Sequence, residues 1–317
     1  MWKPILTFAV ALPCFSQTPL VKGVGNFIHD VADLDQSVHF YKDILGMDMP
    51  RPAGDWQTTE GVLKMYGAPG GKFRVATAQV TGVAMRVELA EFQGVDRKPV
   101  RRKLGEPGAS LLILTVADLQ PMLDRMKAAN WPLAVQLTKA CDGNGIALAD
   151  PDGFQILVVQ RVQQRVQQRT GAEAAADSGK NFTDLRFGYT VSNEAVLNGP
   201  FKALHLAGRP LASNCRTIEE SILNSNAMTV VKLPDGFEIM LVPSRPGKRS
   251  AGTTRPRDPG AAVLRLAVPD AEAAVRALGD AGIKVVSEGG AIQTLPPAGL
   301  KAAILGAPDN LFVQVVQ

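Results

Sequence analysis

A long internal repeat is the feature of this sequence that most restricts its fold. Residues 151–160 (PDGFQILVVQ) and residues 308–317 (PDNLFVQVVQ) are each a turn followed by a strand that ends in Val-Val-Gln, at an offset of 157 residues. The segments Thr115–Leu119 and Ala267–Ala271 resemble each other at an offset of 152 residues. Such self-similarity indicates copies of one structural unit. We therefore expect two related domains, 22–160 and 181–317.

Each half is itself doubled. An apolar strand runs four times into a short acidic or amide residue and then into an amphipathic helix, and the four junction residues are Asp33, Asp118, Asn193 and Asp270. Asp and Asn cap helices because their side chains accept hydrogen bonds from the free amides of the first turn. The third helix is interrupted by Asn198–Pro200, which predicts a late start near Pro200. Since several strand-like runs follow each helix, the unit is a strand, a helix and several strands, four times over.

Composition excludes several classes of protein. The 317 residues are 46% hydrophobic and 6% aromatic, with a formal net charge of +4, which fits a globular chain and falls short of a dedicated nucleic-acid binder. The basic loops 97–103 and 245–249 are interpreted as solvated connections. Zinc-finger and zincin motifs do not occur. Because Cys141 and Cys215 fall in different halves, no disulfide between them is predicted.

The segments that flank the first predicted domain, residues 1–16 and 161–180, differ in composition from the domain itself. Residues 1–16 combine one lysine, an apolar run too short to span a bilayer, and small residues at positions −3 and −1 of a cleavage site after Ser16. This combination is typical of a secretory signal peptide. This predicts a secreted or periplasmic protein without a transmembrane segment, although a terminal strand or helix is the alternative. Residues 161–180 predict a polar linker.

Two stretches are specific enough to identify a family resemblance. Residues 26–46 (NFIHDVADLDQSVHFYKDILG) and 149–154 (ADPDGF) resemble the opening and the last turn of a vicinal oxygen chelate domain, as in glyoxalase I, bleomycin-resistance proteins and extradiol dioxygenases. The resemblance is strong over 22–160 and weaker over 181–317. It implies an α+β fold with two tandem domains. Each would be a pair of βαβββ units whose mixed sheet curls around a cavity, with helices outside.

The same resemblance implies where a divalent metal would be held. The matching positions are Asn26, Glu88, Leu111 and Leu157 in the first half, and Arg186, Met240, Val263 and Gln314 in the second. Only Glu88 is a good ligand, so no cofactor is assigned, while a divalent metal on Glu88, Asn26 or His29 stays open. Strand alternation turns His29 away from the concave face, unless a one-residue bulge reverses it.

The polar residues expected on the concave faces are the candidate ligand-binding residues: Asn26, Asp30, Arg86, Gln155, Arg186, Glu238, Arg265 and Gln314. One interpretation makes them wet ion pairs, Arg86–Glu88 and Arg186–Glu238, that fill a vestigial barrel. The other is a pocket for a small polar or anionic molecule, anchored by Arg186 and Arg265.

The sequence is compatible with two functions. The first is an exported small-molecule-binding protein with degenerate metal sites. The alternative is a metal-dependent lyase, isomerase or extradiol-type dioxygenase in which Glu88 is the catalytic base. Oligomerisation is left open, and no nucleic-acid partner is expected.

Overall fold

The structure is a computed structural model that describes residues 18–317 except 81–82, 84, 163–180, 193, 212 and 246–251. The predicted signal peptide, most of the predicted linker and the junction residue Asn193 lie outside the described residues. Among the helices of the described part, none is both long enough and apolar enough to cross a membrane.

The first half of the chain contains two modules. The first has the elements β1 Gly23–Asp30, α1 Leu34–His39 with a π-helical continuation Phe40–Leu45, β2 Asp48–Arg51, α2 Glu60–Met65, β3 Lys72–Gln79 and β4 Arg86–Gln93. The second has β5 Ser110–Val116, α3 Gln120–Ala128, β6 Leu133–Ala140, β7 Gly143–Ala149 and β8 Gln155–Arg161.

The second half repeats this order. The third module has β9 Phe182–Val191, α4 Glu194–Ala203, β10 Gly208–Pro210, α5 Ile218–Leu223, β11 Thr229–Lys232 and β12 Glu238–Pro243. The fourth has β13 Ala262–Ala267, α6 Ala271–Asp280, β14 Lys284–Val285, β15 Gln293–Leu295, β16 Leu300–Gly306 and β17 Phe312–Val316, with 3₁₀ turns at Glu288–Gly290 and Pro308–Asn310.

Two of the three predicted junction residues in the described part of the chain, Asp33 and Asp270, are helix N-caps. The N-cap of α3 is Leu119, and Asp118 lies one residue before it and accepts a hydrogen bond from the Gln120 amide. The Asp33 side chain accepts a hydrogen bond from the Gln36 amide, and the Asp270 side chain accepts one from Ala273. Gly46 ends the first helix with a φ of 84°, a conformation that favours glycine. The prediction for the third helix was wrong, because α4 begins at Glu194 and contains Pro200. Burial of residues at its C-terminal end, Phe201 and Leu204, outweighs the one backbone hydrogen bond that proline removes.

The strands form two mixed sheets, and each sheet takes one module from each half. Sheet A, made of the first and fourth modules, has the order β14-β16-β17-β13-β1-β4-β3-β2, with β15 paired to β16. Sheet B, made of the second and third modules, has the order β10-β11-β12-β9-β5-β8-β7-β6. The modules of each sheet meet at an antiparallel pair, β1 with β13 and β5 with β9. The predicted fold class is confirmed, but the two modules that share a sheet come from different halves of the chain.

This exchange of modules corrects the expectation for the cysteines. Cys141, after β6, and Cys215, before α5, form a disulfide with a Cα–Cα distance of 6.3 Å. The two residues belong to different halves of the sequence, yet they belong to the two modules that build sheet B. A pairing judged from sequence halves was therefore wrong.

A large apolar core joins the two sheets. Phe27 of β1 lies 4.9 Å from Phe187 of β9 and 5.3 Å from Phe154, measured between ring centroids. The core also contains the buried faces of α1, α3 and α6, through residues such as Leu34 and Met122. Two smaller apolar clusters lie on the opposite, concave faces of sheets A and B.

Because each sheet contains strands from both halves of the chain, we expect the two halves to stay associated after the chain is cut between them. A protease site inserted in the predicted linker at 161–180, followed by cleavage and reduction of the disulfide, should leave both fragments in one particle of unchanged size. The reason is that each fragment supplies half of each sheet and of the common core. Size-exclusion chromatography with and without urea measures this, and the uncut inserted protein is the control. Two folded fragments that separate in native buffer would contradict the topology.

Candidate functional site

The concave face of sheet B is filled by protein. Helix α5 packs on β6 and β7, and its Ile218 and Ile222 join Leu111, Leu157 and Met240 in one apolar cluster. The helix begins at Thr217, whose hydroxyl accepts from the Glu220 amide while the Glu220 side chain accepts from the Thr217 amide. Contact is close, since a Cβ on Gly145 would lie 2.7 Å from Ile218 Cγ1.

Sheet A has an open concave face. A cavity of about 220 Å³ and a smaller one of about 150 Å³ share the lining residues Arg51 and Glu88. The larger part is lined mainly by aromatic and aliphatic side chains, which include Val62, Met65, Tyr66, Phe73, Val75, Phe92 and Leu295. The smaller part is polar and is lined by Asn26, Pro50, Arg51, Thr77, Arg86 and Glu88. Together they form what we call the sheet A cavity.

Helix α2 covers one side of the sheet A cavity. It packs against β15, and a Cβ on Gly61 would lie 2.8 Å from the Thr294 carbonyl oxygen, so that only glycine permits this approach. Its last turn places Met65 and the adjacent Tyr66 against the sheet. The Gln314 amide nitrogen donates to Met65 Sδ over 3.0 Å.

Four predicted site residues meet at the wall of this cavity. Arg265 Nε donates to Gln314 Oε1 at 2.7 Å, and its two terminal nitrogens each lie 3.4 Å from an oxygen of Glu88. Asn26 Nδ2 lies 3.3 Å from Glu88 Oε2. With the Asn26 amide rotated by half a turn, its oxygen accepts from Arg265 at 3.2 Å instead. The predicted pair Arg86–Glu88 is thus replaced by Arg265–Glu88.

The charges that line the cavity are unequal. Arg51, Arg86 and Arg265 contribute three guanidinium groups, and Glu88 contributes one carboxylate. The side chain of Arg265 is 23% exposed and that of Glu88 is 17% exposed, so both reach the cavity from a largely buried position. The resulting excess of positive charge favours an anion.

Asp30 lies on the same face of β1 as Asn26. Its side chain is buried, and among the described residues neither carboxylate oxygen has a hydrogen-bond partner. Burial raises the pKa of Asp30 well above its ordinary range, and the neighbouring Glu88 raises it further. Burial also raises the pKa of Tyr66, and the Asp30 carboxyl adds to that effect. Burial behind the cavity wall therefore disfavours the ionised form of Asp30 in the folded protein.

His29 lies on the opposite face, as strand alternation predicts. The register shift in β1 falls between Val24 and Phe27, before His29, and does not turn the ring into the cavity. His29 Nε2 lies 2.6 Å from Asp150 Oδ2, and Nδ1 lies 3.2 Å from the Ala261 carbonyl oxygen. Burial lowers the pKa of His29, but the carboxylates of Asp150 and Asp152 and the Ala261 carbonyl together outweigh it, so that the net pKa is raised.

His29, Asp150 and Asp152 form the one described cluster whose donor atoms are close enough for a metal, all within 4.8 Å. Protein hydrogen bonds already engage these atoms. Asp150 Oδ1 accepts from the amides of Asp152 and Phe154, and Asp152 Oδ2 accepts from Ala32. The arrangement is that of a buried ion pair that joins β1 to the turn before β8.

The remaining predicted residues lie in sheet B, away from the sheet A cavity. Gln155 donates to the carbonyl oxygens of Arg102 and Gly153. Arg186 lies 2.8 Å from Asp184 and 3.7 Å from Glu238, which also pairs with Arg209 at 3.0 Å. On sheet B the contacts of Arg186 and Glu238 are thus those of partly exposed ion pairs, which is the first of the two interpretations of the polar residues.

Sequence reasoning missed Arg51, Tyr66 and the whole of α2. The segment between the first helix and β3 has no strong periodicity, and its contribution to the cavity depends on contact with β15 from the far end of the chain. A usable signal was the cluster of apolar residues at 62–66, which is too short to identify a helix by period alone.

These features define the class of protein: its fold consists of two curled mixed sheets built from four βαβββ modules. Residues 30–158 match the family model of the Glyoxalase/Bleomycin resistance protein/Dioxygenase superfamily. The resemblance to the vicinal oxygen chelate proteins is thereby confirmed.

Solved structures extend the likeness to the whole chain. Glyoxalase I from Zea mays is similar with a TM-score of 0.59 and 17% identity, over 93% of this chain and 92% of that one. A putative dioxygenase from Bacillus subtilis is similar with a TM-score of 0.56 and 12% identity, over 94% of this chain and 86% of that one. At these identities the likeness concerns the fold. A search of curated proteins finds no sequence match to the chain.

The burial of Asp30 predicts a pH-dependent stability. Its raised pKa means that its contribution to stability is fully present below about pH 3.8 and is lost as the pH rises through the folded-state pKa. Asp30→Asn removes this ionisation, so the variant should gain about 1–3 kcal/mol in the free energy of unfolding at pH 8 and nothing at pH 3.5. Urea unfolding at several pH values measures the difference.

The exposed Asp280→Asn substitution is the matched control and should leave the pH profile unchanged. A loss of stability in Asp30→Asn at pH 8 would show that the carboxylate is ionised and partnered in the folded protein.

Proposed function

We propose that this protein binds a small anionic molecule in the sheet A cavity, without a catalytic metal. The observation that carries the proposal is the cavity itself: three guanidinium groups face one carboxylate in an open concavity, whereas the corresponding face of sheet B is closed by α5. A pocket with convergent polar groups on an otherwise apolar lining is the usual form of a small-molecule site.

The polar and the apolar part of the cavity would each bind a different part of the ligand. Arg51 and Arg86 lie at the polar part and would pair with a carboxylate or a similar oxyanion, because guanidinium groups bind such groups in a bidentate manner. Phe73, Phe92 and Val62 line the larger part and would contact an apolar body. A carboxylate that carries an aromatic or branched aliphatic group meets both requirements within about 220 Å³.

The alternative, an enzyme that uses Glu88 as its base, has less support from the geometry. Both oxygens of Glu88 face Arg265, and one also faces Asn26. A base needs a free oxygen within hydrogen-bond reach of the proton it removes. Glu88 is better suited to hold Arg265 in the cavity wall, and Arg265 is then an anchor for the ligand.

The proposal predicts a charge requirement for binding. Benzoate, phenylacetate and phenylpyruvate at saturating concentration should raise Tm by about 2–4 °C, because a ligand that binds only the folded state stabilises it. The neutral amides of these acids should have no effect. Differential scanning calorimetry with acid and amide in parallel measures the contrast.

Substitutions in the cavity test whether the carboxylate-dependent rise in Tm comes from binding there. Arg51→Gln and Arg86→Gln should each reduce the carboxylate-dependent shift, and Arg186→Gln in sheet B is the matched control that should retain it. Equal shifts for acids and amides, or an equal loss in Arg186→Gln, would contradict the proposal.

We also propose that the protein is exported and loses residues 1–16. The Cys141–Cys215 disulfide supports this, since disulfides form and persist in oxidising compartments. Expression with the native N-terminus in a bacterial host should yield a periplasmic protein whose first residue is Gln17, as read by N-terminal sequencing. A protein that stays in the cytoplasm with Met1 intact would contradict it, and a chain that starts at Gln17 after an added Met is the cytoplasmic control.

A further inference from the structure

The positions that the family resemblance assigns to metal ligands come from two different halves of the chain. Asn26 and Glu88 belong to the first module, and Val263 and Gln314 belong to the fourth, but all four lie on the concave face of sheet A. The strand register explains this, because Ile28 pairs with Glu88 on one side and with Val263 on the other. Arg265 follows Val263 by two residues on the same face and pairs in register with Gln314.

A single cation already occupies the centre of these groups. The Arg265 guanidinium meets Gln314 Oε1 at 2.7 Å and both oxygens of Glu88 at 3.4 Å, and the Asn26 amide oxygen comes within 3.2 Å of it when the amide is rotated. One carboxylate and two amide oxygens thus converge on a group that is always charged.

The surrounding residues are shaped for this side chain. Gln314 is fully buried, and because its nitrogen bonds Met65 Sδ, its oxygen is directed at Arg265. A Cβ on Gly25 would lie 2.9 Å from Arg265 Cγ, so glycine at this position leaves room for the aliphatic part of the arginine. The register shift between Val24 and Phe27 falls at the same place.

A divalent metal does not fit the residues present. Transition metals require several imidazole, thiolate or carboxylate donors, and this group offers one carboxylate. A second cation here would also be repelled by the guanidinium, which lies within a few ångströms of every donor.

We infer that Arg265 is a built-in cation that replaces the divalent metal ion of the fold, and that it blocks a latent oxygen-donor site formed by Asn26, Glu88 and Gln314. This inference refines the proposed function, because it makes the positive charge offered to the ligand a permanent part of the chain. It follows that removing Arg265 opens the three oxygen donors to a hard divalent cation, for which carboxylate and amide oxygens are suitable ligands.

Titration with Mn²⁺, followed by electron paramagnetic resonance of the free ion, tests the inference on the full-length protein. Arg265→Ala should bind one Mn²⁺ at least tenfold more tightly than the unsubstituted protein. Arg265→Lys, which keeps the charge, should behave like the unsubstituted protein. Arg265→Ala combined with Glu88→Gln should lose the gained site, since it lacks the carboxylate.

Two results would overturn the inference. One is Mn²⁺ binding by the unsubstituted protein with one equivalent that Glu88→Gln abolishes. The other is a folded Arg265→Ala protein, judged by circular dichroism, that binds Mn²⁺ no better than the unsubstituted protein. If Arg265→Ala does not fold, Arg265→Gln removes the charge with less change in volume and gives the same readout. Since no carboxylate ligand is present in this titration, its outcome is independent of the calorimetric test of ligand binding.

Discussion

The antiparallel pairing of β1 with β13, and of β5 with β9, brings together residues that are far apart in the chain. It places the first module beside the fourth and the second beside the third. Asn26 and Glu88 thereby meet Arg265 and Gln314, and Cys141 meets Cys215. Neither the polar cluster of sheet A nor the disulfide of sheet B would form if each half of the chain closed its own sheet.

The two concave faces then differ because they receive different side chains. Sheet B takes Leu111, Leu157 and Met240, which bury themselves under α5. Sheet A takes the charged and amide side chains, and its covering helix α2 leaves a cavity beside them. Buried polar groups require partners, and the Arg265 guanidinium supplies them to Glu88 and Gln314 at the same time. One face is therefore a packed core and the other a charged pocket.

Much of the local structure could be predicted from the sequence. The fourfold repeat of strand, capping residue and helix identified the modules, and strand alternation placed Asn26, Ile28 and Asp30 on one face and His29 on the other. These predictions rest on periods of a few residues, which the chain displays directly.

The assignment of modules to sheets could not be predicted in the same way. A repeat shows that Asn26 and Arg186 are equivalent positions, but it does not show which module completes each sheet. Grouping by sequence half therefore put Leu111 and Leu157 with Asn26, whereas the structure puts Val263 and Gln314 there. The contact of Arg265 with Glu88, which lies 177 residues away, follows from this pairing.

The most direct test of this account is a crystal structure from crystals grown with millimolar Mn²⁺, with data collected for anomalous scattering. The account predicts strand β1 between β4 and β13, guanidinium density between Glu88 and Gln314, and no anomalous peak among Asn26, Glu88 and Gln314. An anomalous peak at that position, with the Arg265 side chain turned away from Glu88, would contradict it.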